Sequence, residues 1–215
     1  MNASYSKENI LKKIRKALSE STPIPFPQSE GNSSVYHAGR EELEVQFAEE
    51  FSKLQGKFIY CLDDAEMIAR LVQLVQQKEW TRIFCTERSL QRIMHVGSFP
   101  LDPQLALKDS DVSITTCECL VARTGTIVLS SAQLNGRTAS VYAPIHVCIA
   151  YTNQLVPEIR DAMLSLKEKY QQNIPSLITF ASGPSRTADI EKTLVVGVHG
   201  PREVYVFLVD SASVQ

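Results

Sequence analysis

The chain lacks any C-x-x-C pair and any apolar run approaching the ~18 residues of a membrane span. Its five cysteines are Cys61, Cys85, Cys117, Cys119 and Cys148. The first two and the last lie inside apolar runs, where a free cysteine packs as a small hydrophobe. The remaining pair has no second ligand pair, and its spacing matches no iron–sulfur pattern. We therefore expect no metal site, no membrane span and a cytoplasmic protein with reduced thiols.

The chain also lacks an excess of either charge, since 22 Lys and Arg residues balance 24 Asp and Glu residues. Nucleic-acid binding would need a concentrated basic face, so this class of partner is not expected. The N-terminus has no apolar core of the kind found in secretory signals. The hydrophobic content of 44% and the charged content of 21% are ordinary for a soluble globular protein.

The first part of the chain, residues 1–38, differs from the rest in composition. It begins with a predicted amphipathic helix and continues as STPIPFPQSEGNSSVYHAG, whose prolines and small polar residues indicate a linker. Ser6 is the candidate helix cap, and the apolar stripe consists of Ile10, Leu11, Ile14 and Leu18. We expect a packing or homo-oligomerising arm. Adsorption to a membrane surface is the alternative, and the short apolar face disfavours it.

Residues 39–215 are predicted to form one domain in which helices and strands alternate. KFIYCL and TRIFCT are typical of buried strands, and they alternate with helical patterns such as DDAEMIARLVQLVQQKEW. HVCIAYT and EVYVFLVD are also predicted strands, and VPEIRDAMLSLKEKYQQN is a predicted helix. Such alternation favours parallel pairing with helices on both faces of a sheet.

Between these elements the pattern predicts an antiparallel part. TIVLSSAQ and RTASVYAP flank Asn135 and Gly136, and Asn-Gly between two strand-like runs is a hairpin signal. CECLVA is interpreted as a short helical turn. The predicted fold class is α/β, with one mixed, mostly parallel sheet flanked by helices on both faces and an N-terminal helical arm.

Three loops have a composition suited to ligands, and we expect them at the carboxyl ends of the strands, where open α/β sheets bind ligands. The first loop comprises Arg123, Thr124, Gly125 and Thr126. Its hydroxyls and its unhindered backbone amide suit phosphate or carboxylate oxygens. A turn that packs a helix against a strand is the alternative interpretation.

The second loop follows the strand SLITFA. Its candidate ligand-binding residues are Ser182, Gly183, Ser185, Arg186, Thr187 and Glu191, with Asp189 as a candidate catalytic group. Hydroxyls at the start of a predicted helix ADIEKTL would form an anion site, with Arg186 as the cation. In the alternative, Thr187 or Asp189 only caps the helix.

The third loop, GVHGPRE, contains His199 between glycines, together with the candidate ligand-binding residue Gly200. A histidine in such a loop can titrate near neutral pH, and His199 is the best candidate for a general acid or base. An exposed turn histidine without a catalytic role is the alternative.

The run SGPSRTADIEKTLVVGVHGPREVYVFLVD resembles the C-terminal block of the lactate-utilisation protein C family, which carries the LUD domain. Further similarity lies in ARTGTIVL, in APIHVCIAYTNQLVP and in the opening SKENILKKIRKAL. The resemblance implies a fold similar to that of the sugar-phosphate isomerase and CoA-transferase group. It also implies a role in oxidising L-lactate to pyruvate with iron–sulfur and cysteine-rich companion proteins.

On this resemblance, the chain is expected to be a substrate-handling or accessory subunit that binds a small anionic substrate. The iron–sulfur clusters are expected in the partners, with no cofactor bound by this chain. Many relatives have an acidic residue where this chain has Arg123, and the reversed charge would favour a more anionic ligand. The alternative function is a stand-alone enzyme or binder for a phosphorylated, CoA-linked or folate-type ligand.

Overall fold

The structure, a computed structural model, describes residues 8–13, 15–16, 42–134, 136–187, 195–197 and 199–211. The chain divides into two units, residues 1–37 and residues 38–215. In the first unit the described residues are helical, as predicted, and Ile10 and Leu11 are exposed. Ser6, Ile14 and Leu18 lie outside the described residues. In the described parts of the chain, no helix combines the length and apolarity needed to cross a membrane.

The second unit alternates helices with strands. The helices are α1 (Leu43–Lys53), α2 (Asp64–Lys78), α3 (Arg88–Val96), α4 (Ala139–Tyr142) and α5 (Ile159–Tyr170). The strands are β1 (Lys57–Cys61), β2 (Ile83–Phe84), β3 (Val112–Thr115), β4 (Cys119–Val121), β5 (Thr126–Ser130), β6 (Ile145–Tyr151), β7 (Leu155–Val156), β8 (Ile178–Ala181), β9 (Arg186–Thr187), β10 (Val195–Val196) and β11 (Glu203–Val209). Short 3-10 helices occur at Leu107–Asp109, Ala122–Thr124 and Thr152–Gln154.

A five-stranded parallel sheet forms the centre of this unit, with strand order β1-β11-β6-β3-β2. Its long strands β6 and β11 are buried almost throughout, which explains why their sequences are continuous apolar runs. Side chains of β6 alternate between two cores. Val147 and Ile149 contact α2 and α3, whereas Cys148 and Ala150 face the opposite side.

A second, four-stranded sheet covers that opposite side, with strand order β7-β4-β5-β8. Leu120 and Ile127 of this sheet pack with α1 against the parallel sheet, and Val128 points outward towards α5. The layers are therefore helices α2 and α3, the parallel sheet, the mixed sheet with α1, and helix α5. The predicted α/β class, with a mostly parallel sheet between helices, is confirmed.

Local sequence signals account for the start of helix α2 and for the turn that follows helix α1. Asp63 caps α2 by accepting a hydrogen bond of 2.7 Å from the backbone N–H of Glu66. Helix α1 buries Phe47 and Phe51 completely, with their rings stacked 5.3 Å apart. Each such side chain contributes about 2 kcal/mol through burial. Gly56 follows α1, and a Cβ there would collide with the ring of Phe51.

Two local predictions are wrong. The expected hairpin is absent: the residues after Gly136 form helix α4 instead of a strand, and β5 pairs with β4 and β8. Asn135 lies outside the described residues. The predicted helical turn in CECLVA contains strand β4. The strands also separate into a parallel sheet and a mixed sheet, with a two-stranded β9–β10 ribbon beside them.

Candidate functional site

The three predicted loops meet in space, and we call residues 123–126, 182–187, 197 and 199–202 the loop cluster. Strands β5 and β8 are antiparallel neighbours, and their pairing brings Thr126 next to Ser182. The second and third loops are joined at Ser185, whose N–H donates to the Pro201 carbonyl at 2.9 Å and whose carbonyl accepts from Gly197 at 3.0 Å. The β9–β10 ribbon connects the same two loops.

The loop cluster lies at the amino edge of the parallel sheet, which corrects the expected position at the carboxyl edge. The third loop leads into the first residue of β11, and the N–H of Arg202 donates to the Pro144 carbonyl just before β6. Because β6 and β11 are parallel, both contacts lie at the ends where these strands begin. The third loop lies at the amino edge because it directly precedes β11.

A chain of hydroxyls joins the first two loops. The hydroxyl of Thr126 lies 2.8 Å from that of Thr124 and 2.7 Å from that of Ser182. Thr126 is buried, whereas Ser182 is exposed. Hydroxyls can both donate and accept, so this chain can present a donor to an anion at its exposed end.

The glycines of the loop cluster have packing reasons of their own. Gly125 has a φ of +54°, and a Cβ there would lie 2.5 Å from the backbone nitrogen of Phe51 in α1. Gly183 has a φ of +80°, and its Cβ would lie 2.6 Å from the Leu54 carbonyl oxygen. For Gly200 a Cβ would lie 2.8 Å from the Cβ of Ser185. Because glycine has no Cβ, the backbone at these three positions can approach its neighbours this closely.

The charge of Arg123 is directed at a protein carboxylate. Its Nε donates to Glu158 at 2.6 Å, and Glu158 is buried beside the first turn of α5. The residue that was expected to favour a more anionic ligand thus forms an ion pair within the protein. A ligand at the first loop would meet a cation that Glu158 already balances.

Two other arginines supply positive charge to the loop cluster. Arg186 is exposed and donates from Nη2 to the Leu54 carbonyl at 2.5 Å. Arg202, which the sequence interpretation did not select, is also exposed, and its aliphatic stem packs over Gly197. Among the described residues, neither guanidinium forms a salt bridge with a carboxylate. The sequence signal for Arg202 was its place directly after the glycine-rich turn.

His199 is exposed in the third loop, three residues before Arg202. No carboxylate in the described part of the chain forms a salt bridge with it. Asp189 and Glu191 lie outside the described residues, and for Thr187 only the backbone pairing with Val195 is described. The catalytic assignment of His199 and Asp189, and the ligand-binding assignment of the other residues, stay predictions.

An α/β protein with hydroxyls and two exposed guanidiniums in one loop cluster is suited to bind a small anion. Residues 102–209, just over half of the chain, match the family model described as the LUD domain. The chain belongs to the LUD domain family. The matched range includes every residue predicted for the ligand site.

Curated relatives are similar over the same part of the chain. "Lactate utilization protein C 1" of Bacillus mycoides is 37% identical over 105 residues, which are 48% of this chain and 45% of that protein. "Lactate utilization protein C" of Halalkalibacterium halodurans is 40% identical over 106 residues, which are 48% of this chain and 46% of that protein. The alignments thus span about half the length of these relatives.

One similar solved structure supports the fold. It is the crystal structure of a DUF162 family protein from Deinococcus radiodurans, with a TM-score of 0.59 and 21% identity. The similarity covers 80% of this chain and 99% of that chain. At this identity the likeness shows the fold alone.

Proposed function

We propose that this protein takes part in lactate utilisation, as a substrate-handling or accessory component that works with iron–sulfur partner proteins. The observation that carries the proposal is the match of residues 102–209 to the LUD domain, together with relatives named lactate utilization protein C. In the proposed system L-lactate is oxidised to pyruvate. The pair of electrons passes to the clusters of the partner proteins, and two protons are released.

In this proposal the loop cluster binds the carboxylate of lactate. Arg186 and Arg202 supply the positive charge, and the hydroxyl of Ser182 supplies a further donor. A guanidinium can hold a carboxylate through two parallel hydrogen bonds. His199 is the proposed general base for the lactate hydroxyl, with Asp189 as a second candidate catalytic group.

The test begins with anaerobic co-purification of the tagged chain from its native host, followed by lactate-dependent dye reduction. We expect iron–sulfur partners and activity in the eluate. Arg186→Gln or Arg202→Gln should raise the KM for lactate by about tenfold or more, since a charge-assisted hydrogen bond contributes about 1.5–3 kcal/mol. The matched control is Arg160→Gln, which removes an exposed arginine of α5 outside the loop cluster.

His199→Gln and Asp189→Asn test the catalytic part in the same assay. We expect each to lower kcat more than it raises KM, because a base acts on the transition state. Normal kcat in both variants would remove these residues from the mechanism. Unchanged KM in the two arginine variants would remove the loop cluster as the lactate site.

A second candidate function is a stand-alone binder for a phosphorylated, CoA-linked or folate-type anion. The pair of guanidiniums favours it, because two cations suit a multiply charged ligand better than a single carboxylate. A thermal-shift comparison of L-lactate, inorganic phosphate and coenzyme A separates the two functions. The true ligand should stabilise the protein by about 2.7 kcal/mol at a hundredfold excess over its Kd.

A further inference from the structure

A cleft lies at the edge of the parallel sheet opposite the loop cluster, where the parallel strands end. It has a volume of ≈ 480 Å³ and is lined by Thr116, Cys117, Tyr151, Asn153, Gln154 and Ser211. These residues follow or end β3, β6 and β11, so the cleft lies where the parallel strands end. This is the edge at which open α/β sheets bind ligands, and the volume is typical of a small-molecule site. We call it the carboxyl-edge cleft.

The lining of the carboxyl-edge cleft is polar but carries no formal charge. None of its six residues is a Lys, Arg, His, Asp or Glu. A hydrogen bond with Cys148, together with burial, raises the pKa of the Cys117 thiol, so this group stays neutral. A charged ligand would lose its hydration here without meeting an opposite charge in the lining, which disfavours it.

The hydrogen bonds around the cleft determine which partner it can accept. The hydroxyl of Thr116 donates to Glu87, and the hydroxyl of Tyr151 donates to Asp64 at 2.9 Å. Both hydroxyl protons are therefore directed at protein carboxylates. The Thr116 oxygen also accepts from the Gln133 amide at 3.1 Å and keeps one lone pair, whereas the Tyr151 oxygen keeps its acceptor capacity. A ligand must donate hydrogen bonds to them. A carboxylate ligand has no proton to donate, so its oxygens would be repelled by the lone pairs of these acceptor oxygens.

Two amide side chains have different roles in the cleft. Gln154 is fixed, because its oxygen accepts from the Tyr151 N–H at 2.9 Å and its nitrogen donates to the Cys117 carbonyl at 2.8 Å. The Asn153 side chain is exposed and forms no hydrogen bond with the described residues. Asn153 can therefore both donate to and accept from a ligand.

We propose that the carboxyl-edge cleft binds a small uncharged molecule that carries several hydroxyl groups. A hydroxyl donates and accepts, so it fits both the acceptor oxygens of Thr116 and Tyr151 and the open amide of Asn153. The cleft is distinct from the loop cluster in position and in charge. Its occupancy does not depend on the function proposed for the loop cluster.

The test is an NMR titration of the ¹⁵N-labelled full chain with glycerol, D-ribose and adenosine as neutral probes and L-lactate as the anionic counterpart. We expect at least one neutral probe to shift the backbone signals of residues 116–117, 151–154 and 211, and lactate to leave them unchanged. Asn153→Ala should raise the Kd of that probe by about fivefold, the value of one hydrogen bond. Asn173→Ala, a matched exposed control beyond α5, should leave the Kd unchanged.

Three results would overturn the proposal. The first is that none of the neutral probes shifts these signals. The second is that lactate shifts them as strongly as the neutral probes do. The third is that a neutral probe binds with the same Kd in the Asn153→Ala variant, which would place the bound molecule elsewhere. Because Asn153 is exposed and makes no described side-chain bond, its replacement should not affect folding.

Discussion

The burial of His146 should make the free energy of unfolding depend on pH. Its side chain is 1% exposed, and its Nε2 lies 2.8 Å from the Thr115 hydroxyl. Burial lowers the pKa of His146 from 6.5 to about 4, because the charged imidazolium would lose its hydration. The folded protein therefore holds this ring neutral at a pH at which the unfolded chain binds a proton.

The sign and size of the effect follow from the two pKa values. Below pH 6.5 the unfolded state takes up more protons than the folded state, so the free energy of unfolding decreases as the pH falls. The decrease amounts to about 2 kcal/mol at pH 5 and about 3 kcal/mol at pH 4, at about 1.4 kcal/mol per pH unit. Above pH 7 the contribution of His146 is independent of pH.

Urea denaturation of the wild type and of His146→Gln, at intervals from pH 4 to pH 7.5, measures this effect. The difference in unfolding free energy between the two proteins should be constant above pH 7 and move by about 3 kcal/mol in favour of the variant by pH 4. Parallel curves for the two proteins would refute the reasoning. If the variant does not fold, an NMR titration of the wild-type ring decides the question, and a His146 midpoint near 6.5 would be the refuting result.

Two further substitutions test contacts that stabilise the folded domain. Glu118→Gln should lower the free energy of unfolding at pH 7 by about 2 kcal/mol, because the buried carboxylate accepts hydrogen bonds from Ser130, Lys169 and Tyr170. Chemical denaturation measures this decrease, and an unchanged stability would contradict the prediction. Burial raises the pKa of Glu118, but these hydrogen bonds together outweigh burial and lower it below its usual value. The stabilisation is therefore present at neutral pH and should be lost as the pH falls through this lowered pKa. Gly125→Ala should lower the free energy of unfolding by at least about 2 kcal/mol, since φ is positive at this position and the added Cβ would collide with α1. If the variant kept wild-type stability but lost its response to lactate, Gly125 would instead be assigned to ligand binding.

The α/β class was predictable because apolar periodicity is a local property. Strands β6 and β11 are continuous apolar runs, and α2 has an apolar stripe with Asp63 as its cap. The Asn-Gly signal failed because tertiary contacts override local turn preferences. Gly136 lies against the carbonyl of Ser130, and the chain continues into α4, which packs on the parallel sheet.

The convergence of the loops was predictable from composition, but their place in the fold was not. The strand order β1-β11-β6 inserts the last strand between two earlier ones, and no local pattern reports such an insertion. Arg202 was missed because its partner Gly197 is five positions away and a turn brings them together. The carboxyl-edge cleft has no motif at all, since its residues come from the ends of separate strands.

The two edges of the parallel sheet are chemically different, and this limits what a single ligand can do. Strand β11 has seven residues between Arg202 at the amino edge and the carboxyl-edge cleft. At about 3.3 Å per residue the two sites are more than roughly 20 Å apart, which no molecule of the size of lactate can span. The loop cluster offers cations and the cleft offers acceptor oxygens, so an anion and a polyol would select different edges. The buried strands β6 and β11 run directly between the two edges, so they are the first place to look for coupling between the two ligands.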